Sequence, residues 1–144
     1  MMQKGRILGL DFGLKRIGFA VSDFEHKLAL PIGFVENKGR EKVVLELRKI
    51  CDKYEINKII IGKPISLNAK QTEILAMVED FADFLRQRLQ INVLFEDERL
   101  TSVQAGKYLA AAGMKEKQQR FVRDSVSASI FLQTYLDKLN AKRN

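Results

Sequence analysis

The side chains best placed to do chemistry in this chain are carboxylates, and three stand where a charge is costly to keep without a partner. Asp11 closes the apolar run Ile7-Leu8-Gly9-Leu10, and Glu98 follows closely on Val93-Leu94-Phe95. Asp124 lies one helical turn before Ala128, on the stripe that a helix of this pattern would bury. Acids brought together repel one another, and their pKa values climb unless a cation neutralises them. Mg2+ or Mn2+ suits ligands that are all oxygen. Two such ions about 4 Å apart activate a water and stabilise the leaving oxygen in phosphodiester cleavage. The same acids could equally serve as caps or salt-bridge partners, with Asp124 capping its own helix or pairing with Arg123 or Arg120.

Cationic side chains flank each acid. Lys15 and Arg16 follow Asp11, Arg99 follows Glu98, and Lys115, Lys117, Arg120 and Arg123 precede Asp124. Such flanks would hold a phosphate backbone over a metal site, although the same charges also make an ordinary solvated surface. Over 144 residues, 25 Lys plus Arg against 18 Asp plus Glu leave a net charge of +7, which favours polyanionic partners. The single cysteine, Cys51, excludes a disulfide framework and a cysteine zinc cluster, and the single histidine, His26, excludes zinc sites built on several imidazoles. Cys51 has no base beside it and is a poor nucleophile candidate. Phe12, Phe19 and Phe95 read as core rather than as a base-stacking ladder. No run is long enough to span a membrane and no apolar leader opens the chain, so a cytoplasmic location without a membrane partner is expected.

Positioning these groups requires a sheet. Ile7 to Asp11 reads as a strand with Ile7, Gly9 and Asp11 on one face. Gly13 permits a turn that a side chain would block, and Arg16 to Ser22 is a second strand. The third, Leu28 to Val35, contains Pro31 and therefore belongs at an edge. Gly39 opens a helix marked by Val43, Leu47, Ile50 and Tyr54. Ile59-Ile60-Ile61 is a buried strand that ends at Gly62-Lys63-Pro64. Ser66 to Gln71 reads as loop. A helix through Ile74, Val78, Phe81 and Leu85 reaches Leu89, and Asn92 to Phe95 is a short strand. Thr101 reads as the N-cap of a helix that stops at Gly113. Met114 to Arg120 is polar and basic. The last helix covers Phe121 to Leu139, its stripe being Ala128, Leu132, Tyr135 and Leu139, with Ser127 and Ala128 small enough to seat it closely on the sheet. This order predicts one α/β domain over residues 1–139 with an antiparallel opening and a short basic tail, 140–144. Ligands of open α/β sheets collect beyond the carboxyl ends of strands, so Asp11 and Glu98 would share one mouth with Asp124 as the third corner.

The run Gly9-Leu10-Asp11-Phe12-Gly13-Leu14-Lys15-Arg16-Ile17-Gly18, with Ala20-Val21-Ser22-Asp23, resembles the opening of a family of small bacterial nucleases. These are called Holliday junction resolvases and are also described as processing the 5' end of precursor 16S ribosomal RNA. Asp97-Glu98-Arg99-Leu100-Thr101-Ser102 is similar to their second signature. Asp124 with Ser127-Ala128 and Ile130 to Leu136 is similar to their third. The resemblance implies a ribonuclease H-like fold: a mixed five-stranded sheet, its first three strands antiparallel, with helices on both faces. It implies that Asp11, Glu98 and Asp124 are the catalytic acids and hold one or two Mg2+ or Mn2+ ions. Lys15, Arg16, Arg99, Lys115, Lys117, Arg120 and Arg123 would then meet phosphates, and Gly9, Gly13 and Gly18 would be structural. The expected activity is endonucleolytic cleavage of precursor 16S RNA, with the ribosome or pre-ribosomal particles as partners and a monomer or weak homodimer as the state. Resolution of branched DNA and a non-catalytic role in ribosome assembly are the alternatives. Asp11-Phe12-Gly13 also resembles the first phosphate loop of actin-like ATPases and sugar kinases, which need two such domains. The chain departs from the family at Gly62-Lys63-Pro64, where leucine is usual and Lys63 adds a phosphate contact. It departs again in a following loop without glycine and at Ser127, where alanine is usual.

Overall fold

The opening run folds as β1 (Arg6–Asp11), turns back through Gly13 and returns as β2 (Arg16–Ser22). A Cβ added at Gly13 would sit 2.4 Å from the carbonyl oxygen of Arg16, so the tightness of this turn requires glycine. The rest of the described chain is β3 (Ala29–Glu36), α1 (Arg40–Tyr54), β4 (Ile56–Lys63), α2 (Ala69–Leu89), β5 (Asn92–Asp97) and a last helix, here α3 (Glu116–Arg143). This computed structural model describes residues 5–64, 68–97, 110–113 and 115–143, with only the backbone described over 116–121.

The five strands lie in the order β3-β2-β1-β4-β5. β1 pairs antiparallel with β2, and β2 with β3, whereas β1–β4 and β4–β5 are parallel. Pro31 therefore lies in an edge strand, where a missing N–H is tolerated. Residues that alternate along the strands feed two cores. On one face Leu8, Leu10, Ile59, Ile61 and Val93 pack with α1 and α2 through Val43, Leu47, Val78, Phe81 and Leu85. On the other Ile7, Ala20 and Ile60 pack with Ala128, Phe131, Leu132 and Leu136 of α3. The contact is close because Gly9 has no side chain: a Cβ there would lie 3.0 Å from Leu132 Cβ. Cys51 is buried in the first core, and burial foremost pushes its thiol up to about 11, so it stays protonated and inert.

α3 runs antiparallel to β1. Asn140 near its C-terminal end donates to the carbonyl of His26 (2.9 Å), and the ring Nε2 of His26 lies 2.7 Å from the carbonyl oxygen of Gly5 at the base of β1. The N-terminal turns of α3 consequently reach the opposite end, the carboxyl mouth of β1.

Several boundaries differ from the sequence expectation. α2 begins at Ala69, inside the stretch read as loop, because Asn68 and Gln71 form a reciprocal capping box. β5 runs on to Asp97, which makes Glu96 a strand residue. α3 starts five residues before Phe121 and continues through residues 140–143, read as a tail. The predicted stop after the Thr101 helix is present: Ala110 and Ala111 are helical and Gly113 follows at φ 77°. Thr101 itself lies outside the described residues. Among the described residues no helix is long and apolar enough to cross a membrane.

Candidate active site

Asp11 is the last residue of β1 and is half-buried. Its partner across the antiparallel pair is Gly18. Cross-strand partners carry their side chains on the same face, with Cβ positions about 5 Å apart. The face in question is that of α3, since Ile7 and Gly9 alternate with Asp11 and both meet this helix. Gly18 meets the same helix at Asp124: an added Cβ would fall 2.2 Å from the carbonyl carbon of Asp124. The backbone of Asp124 thus rests on the one position of β2 that stands opposite Asp11. Residues near opposite ends of the chain are brought to a single mouth, as the sequence anticipated for these two acids.

Asp124 pairs with Arg16, whose Nε lies 3.3 Å from Oδ2. The sequence had offered Arg123 or Arg120 as its partner. Arg16 takes that place because it alternates with Gly18 on β2 and so rises on the same face. Its guanidinium also lies 5.4 Å from the centre of the Phe34 ring. Burial pushes the Asp124 carboxyl above the ordinary carboxylate range, and Arg16 and then Arg123 oppose that shift. The donor set fits a hard divalent cation. It offers carboxylate oxygens, and ionising Asp124 is costly until positive charge arrives.

The remaining predicted residues divide by location. Lys15 is exposed in the turn after Asp11, and Lys115 is exposed just before α3. Lys63 is half-buried at the end of β4, its Nζ 5.2 Å from the centre of the Phe95 ring. Arg123 is half-buried beside Asp124. Lys117 and Arg120 belong to the first turns of α3, where only the backbone is described. Glu98 and Arg99 lie outside the described residues. Among the described residues no group of three His, Cys, Asp or Glu gathers as a metal cluster.

Two polar residues escaped the sequence reading as members of this region. Glu96 is 8% exposed and accepts a hydrogen bond from Lys138 Nζ at 2.5 Å. Its register partner is Gly62, so it stands level with Asp11 across β4. Nothing in the local pattern marks it, because its partner comes from a distant helix. Ser127 is wholly buried one turn after Asp124, and its Oγ has no partner. Its signal in the sequence is a hydroxyl at a position where the resemblance expects alanine.

Comparison with known proteins converges on one family. A family model described as RuvX, Holliday junction resolvase, matches residues 5–138. A protein of Sulfurihydrogenibium sp. named "Putative pre-16S rRNA nuclease" is 42% identical over 94% of this chain and 92% of its own length. A Clostridium botulinum protein of the same name is 38% identical over 94% and 98%. Among solved structures, Thermus thermophilus RuvC in complex with a Holliday junction substrate aligns at a TM-score of 0.61 with 10% identity, covering 94% of this chain and 96% of that one. The fowlpox virus Holliday junction resolvase aligns at 0.55 with 16% identity, covering 93% and 99%. At these identities the structural matches speak for the fold: a ribonuclease H-like sheet of the resolvase type.

Proposed function

The chain belongs to the RuvX Holliday junction resolvase family and is a nuclease, and from that premise we propose that it cleaves the 5' region of precursor 16S ribosomal RNA with Asp11, Glu98 and Asp124 as its metal-binding acids. The contact between Gly18 and the backbone of Asp124 supports this reading, because it brings the helix bearing one acid to the strand position opposite the other. Bound Mg2+ or Mn2+ would supply an activated water and charge stabilisation at the leaving oxygen. The protein's own groups bind and orient. Asp11 and Asp124 offer oxygen ligands on one face. Arg16 holds Asp124 in place and neutralises it while the cation is absent. Lys15 and Lys63, at the ends of β1 and β4, flank the mouth and would hold phosphates on either side of it. The substrate follows from the curated relatives' name, and it sets the nuclease to work on pre-ribosomal particles in the cytoplasm.

Calorimetric titration of Mn2+ into wild type, D11N and D124N tests the site. Both variants should bind Mn2+ at least about tenfold more weakly and lose cleavage by about three decades, several kcal/mol of transition-state stabilisation. Precursor 16S ends and synthetic four-way junctions, assayed side by side, test the substrate. Preferential cutting of the junction would replace the ribosomal reading with DNA resolution. Undiminished cleavage by both variants would remove the acids from the mechanism.

A further inference from the structure

On the sheet face opposite α3, a cavity of about 470 Å³ opens between α1 and α2. That size lies within the roughly 300–1,000 Å³ of small-ligand sites. Its walls are mostly apolar. Phe12 and Phe81 stand with ring centres 5.2 Å apart, Phe81 buried and Phe12 half-buried. Ala76 and Met77 of α2 line it from exposed positions, Met77 at 45% exposure, so the cavity is open to solvent on that side. Asp80 on the rim is paired with Arg40 of α1 (3.2 Å). The cavity is also joined to the acidic mouth. Phe12 follows Asp11 directly in the chain and packs on the α1 and α2 side, whereas Asp11 faces α3. Asn37 lines the cavity and braces the turn after Asp11. Its backbone N–H donates to the carbonyl of Lys15 (2.8 Å), and its side chain donates to the carbonyl of Gly13 (2.9 Å). One residue thus serves both the cavity and the turn that presents Lys15.

We propose that this cavity receives one unpaired nucleobase of the RNA, next to the phosphate held at the acidic mouth; the assignment rests on the nuclease reading above. An aromatic floor, a thioether and few polar groups suit a flat, largely apolar ligand. A chain with its phosphates at the mouth brings such ligands within a residue of Asp11. Bases of single-stranded RNA splay out and stack on aromatic side chains, whereas bases of a duplex stay in their own stack. Asn37 keeps a second amide hydrogen for the edge of a base, and its Oδ1 accepts only a long bond from the N–H of Gly39 (3.4 Å). Asp80 does not repel the phosphate chain, because Arg40 neutralises it. The cavity therefore selects cutting sites at which the neighbouring base is unpaired.

The test withholds divalent metal, so that nothing is cut. It measures anisotropy of a labelled single-stranded RNA carrying the precursor 16S 5' end, with an abasic series that removes one base at a time around the cut. In wild type one abasic position should weaken binding about tenfold, the size expected of one stacked base. A76F, at an exposed helix position, puts a ring into the cavity. It should weaken binding of the intact RNA about tenfold, with no further loss at the abasic position, because both changes remove one contact. Fully duplex RNA of the same sequence should bind wild type and A76F equally. M77A should weaken binding of the intact RNA about threefold, and it stands in if A76F fails to fold. The salt slope should stay unchanged in both variants, since no charge is lost. Wild-type affinity for intact RNA in both variants would overturn the cavity assignment, as would an abasic loss that persists undiminished in A76F. A change of oligomeric state in A76F, seen by sedimentation, would give the cavity to a second copy and overturn it too. Base-dependent binding that A76F abolishes, in a protein that cuts no RNA, would keep the cavity and reject the nuclease reading. Cleavage of precursor RNA with an affinity blind to both changes would do the reverse.

Discussion

The two halves of α3 treat polar side chains in opposite ways. Toward its C-terminus every polar side chain that faces the sheet is satisfied. Gln133 donates to the carbonyl of Lys27 (2.8 Å) and accepts from the N–H of Ala29 (2.9 Å), which ties the helix to β3. Tyr135 accepts from Lys58 of β4 (3.0 Å), and Lys138 bonds Glu96 of β5. Toward the N-terminus the pattern breaks. Asp124 is held above its normal pKa by burial, and Arg123 and Ser127 each carry a buried atom without a partner. One half anchors the helix; the other leaves buried polar atoms unmet. The difference separates groups bonded into the fold from groups at the proposed site, on a single continuous helix.

This contrast can be broken most severely at Gly18. G18A would drive a methyl group into the backbone of Asp124, which cannot rotate away, and should cost about 3 kcal/mol in urea unfolding, with Mn2+ binding lost as the helix lifts. A near-normal urea midpoint would mean that α3 is not seated through this contact. Q133A removes three hydrogen bonds from the anchoring half, two of them to the β3 side and one to Asp137, and should cost about 1–2 kcal/mol while leaving Mn2+ and RNA affinity unchanged; a parallel loss of Mn2+ affinity would erase the division between the halves. Titration reaches the other half. Below the raised pKa of Asp124, Mn2+ affinity should fall about tenfold per pH unit as proton and cation compete, with D124N showing a flatter profile. Because the folded form holds this proton more tightly than the unfolded chain does, Asp124 makes the metal-free protein more stable as pH falls through the raised value toward 3.8. The smallest effect belongs to Asp23, which accepts from the N–H groups of Lys27 and Leu28 (2.7 and 3.1 Å). Burial raises its pKa, but those bonds and His26 outweigh burial and leave it lowered. D23N should cost about 0.5–1 kcal/mol, and this part of the wild type's advantage is present above pH 3.8 and vanishes as pH falls through the lowered value.

Much of the architecture was legible in the residues. Alternation gave β1 and β2, Pro31 marked β3 as an edge, and Gly39 and Gly113 marked helix boundaries. The placement of Asp11 and Asp124 at one mouth followed from strand direction and a helical stripe. What stayed hidden depends on partners far away in the chain. Glu96 lies beyond the strand as read to Phe95, because its burial is made tolerable by Lys138, folded back from α3. Arg16 was grouped with phosphate contacts, because its pairing with Asp124 exists only once β2 meets α3. The ends of α3 lack apolar periodicity, so pattern alone cut the helix short. The capping box of Asn68 and Gln71 was visible in principle, but its polar residues imitate a loop.

The seating of Asp124 on β2 also sets the timetable of synthesis. Asp11 is made well before the helix bearing Asp124. All five strands can assemble with α1 and α2 on one face before that helix exists, since their shared core includes no residue of α3. A growing chain would then hold a nearly complete sheet with one acid and a bare second face. The seat of Asp124 opposite Asp11 would then form in one later step, when α3 closes over that face.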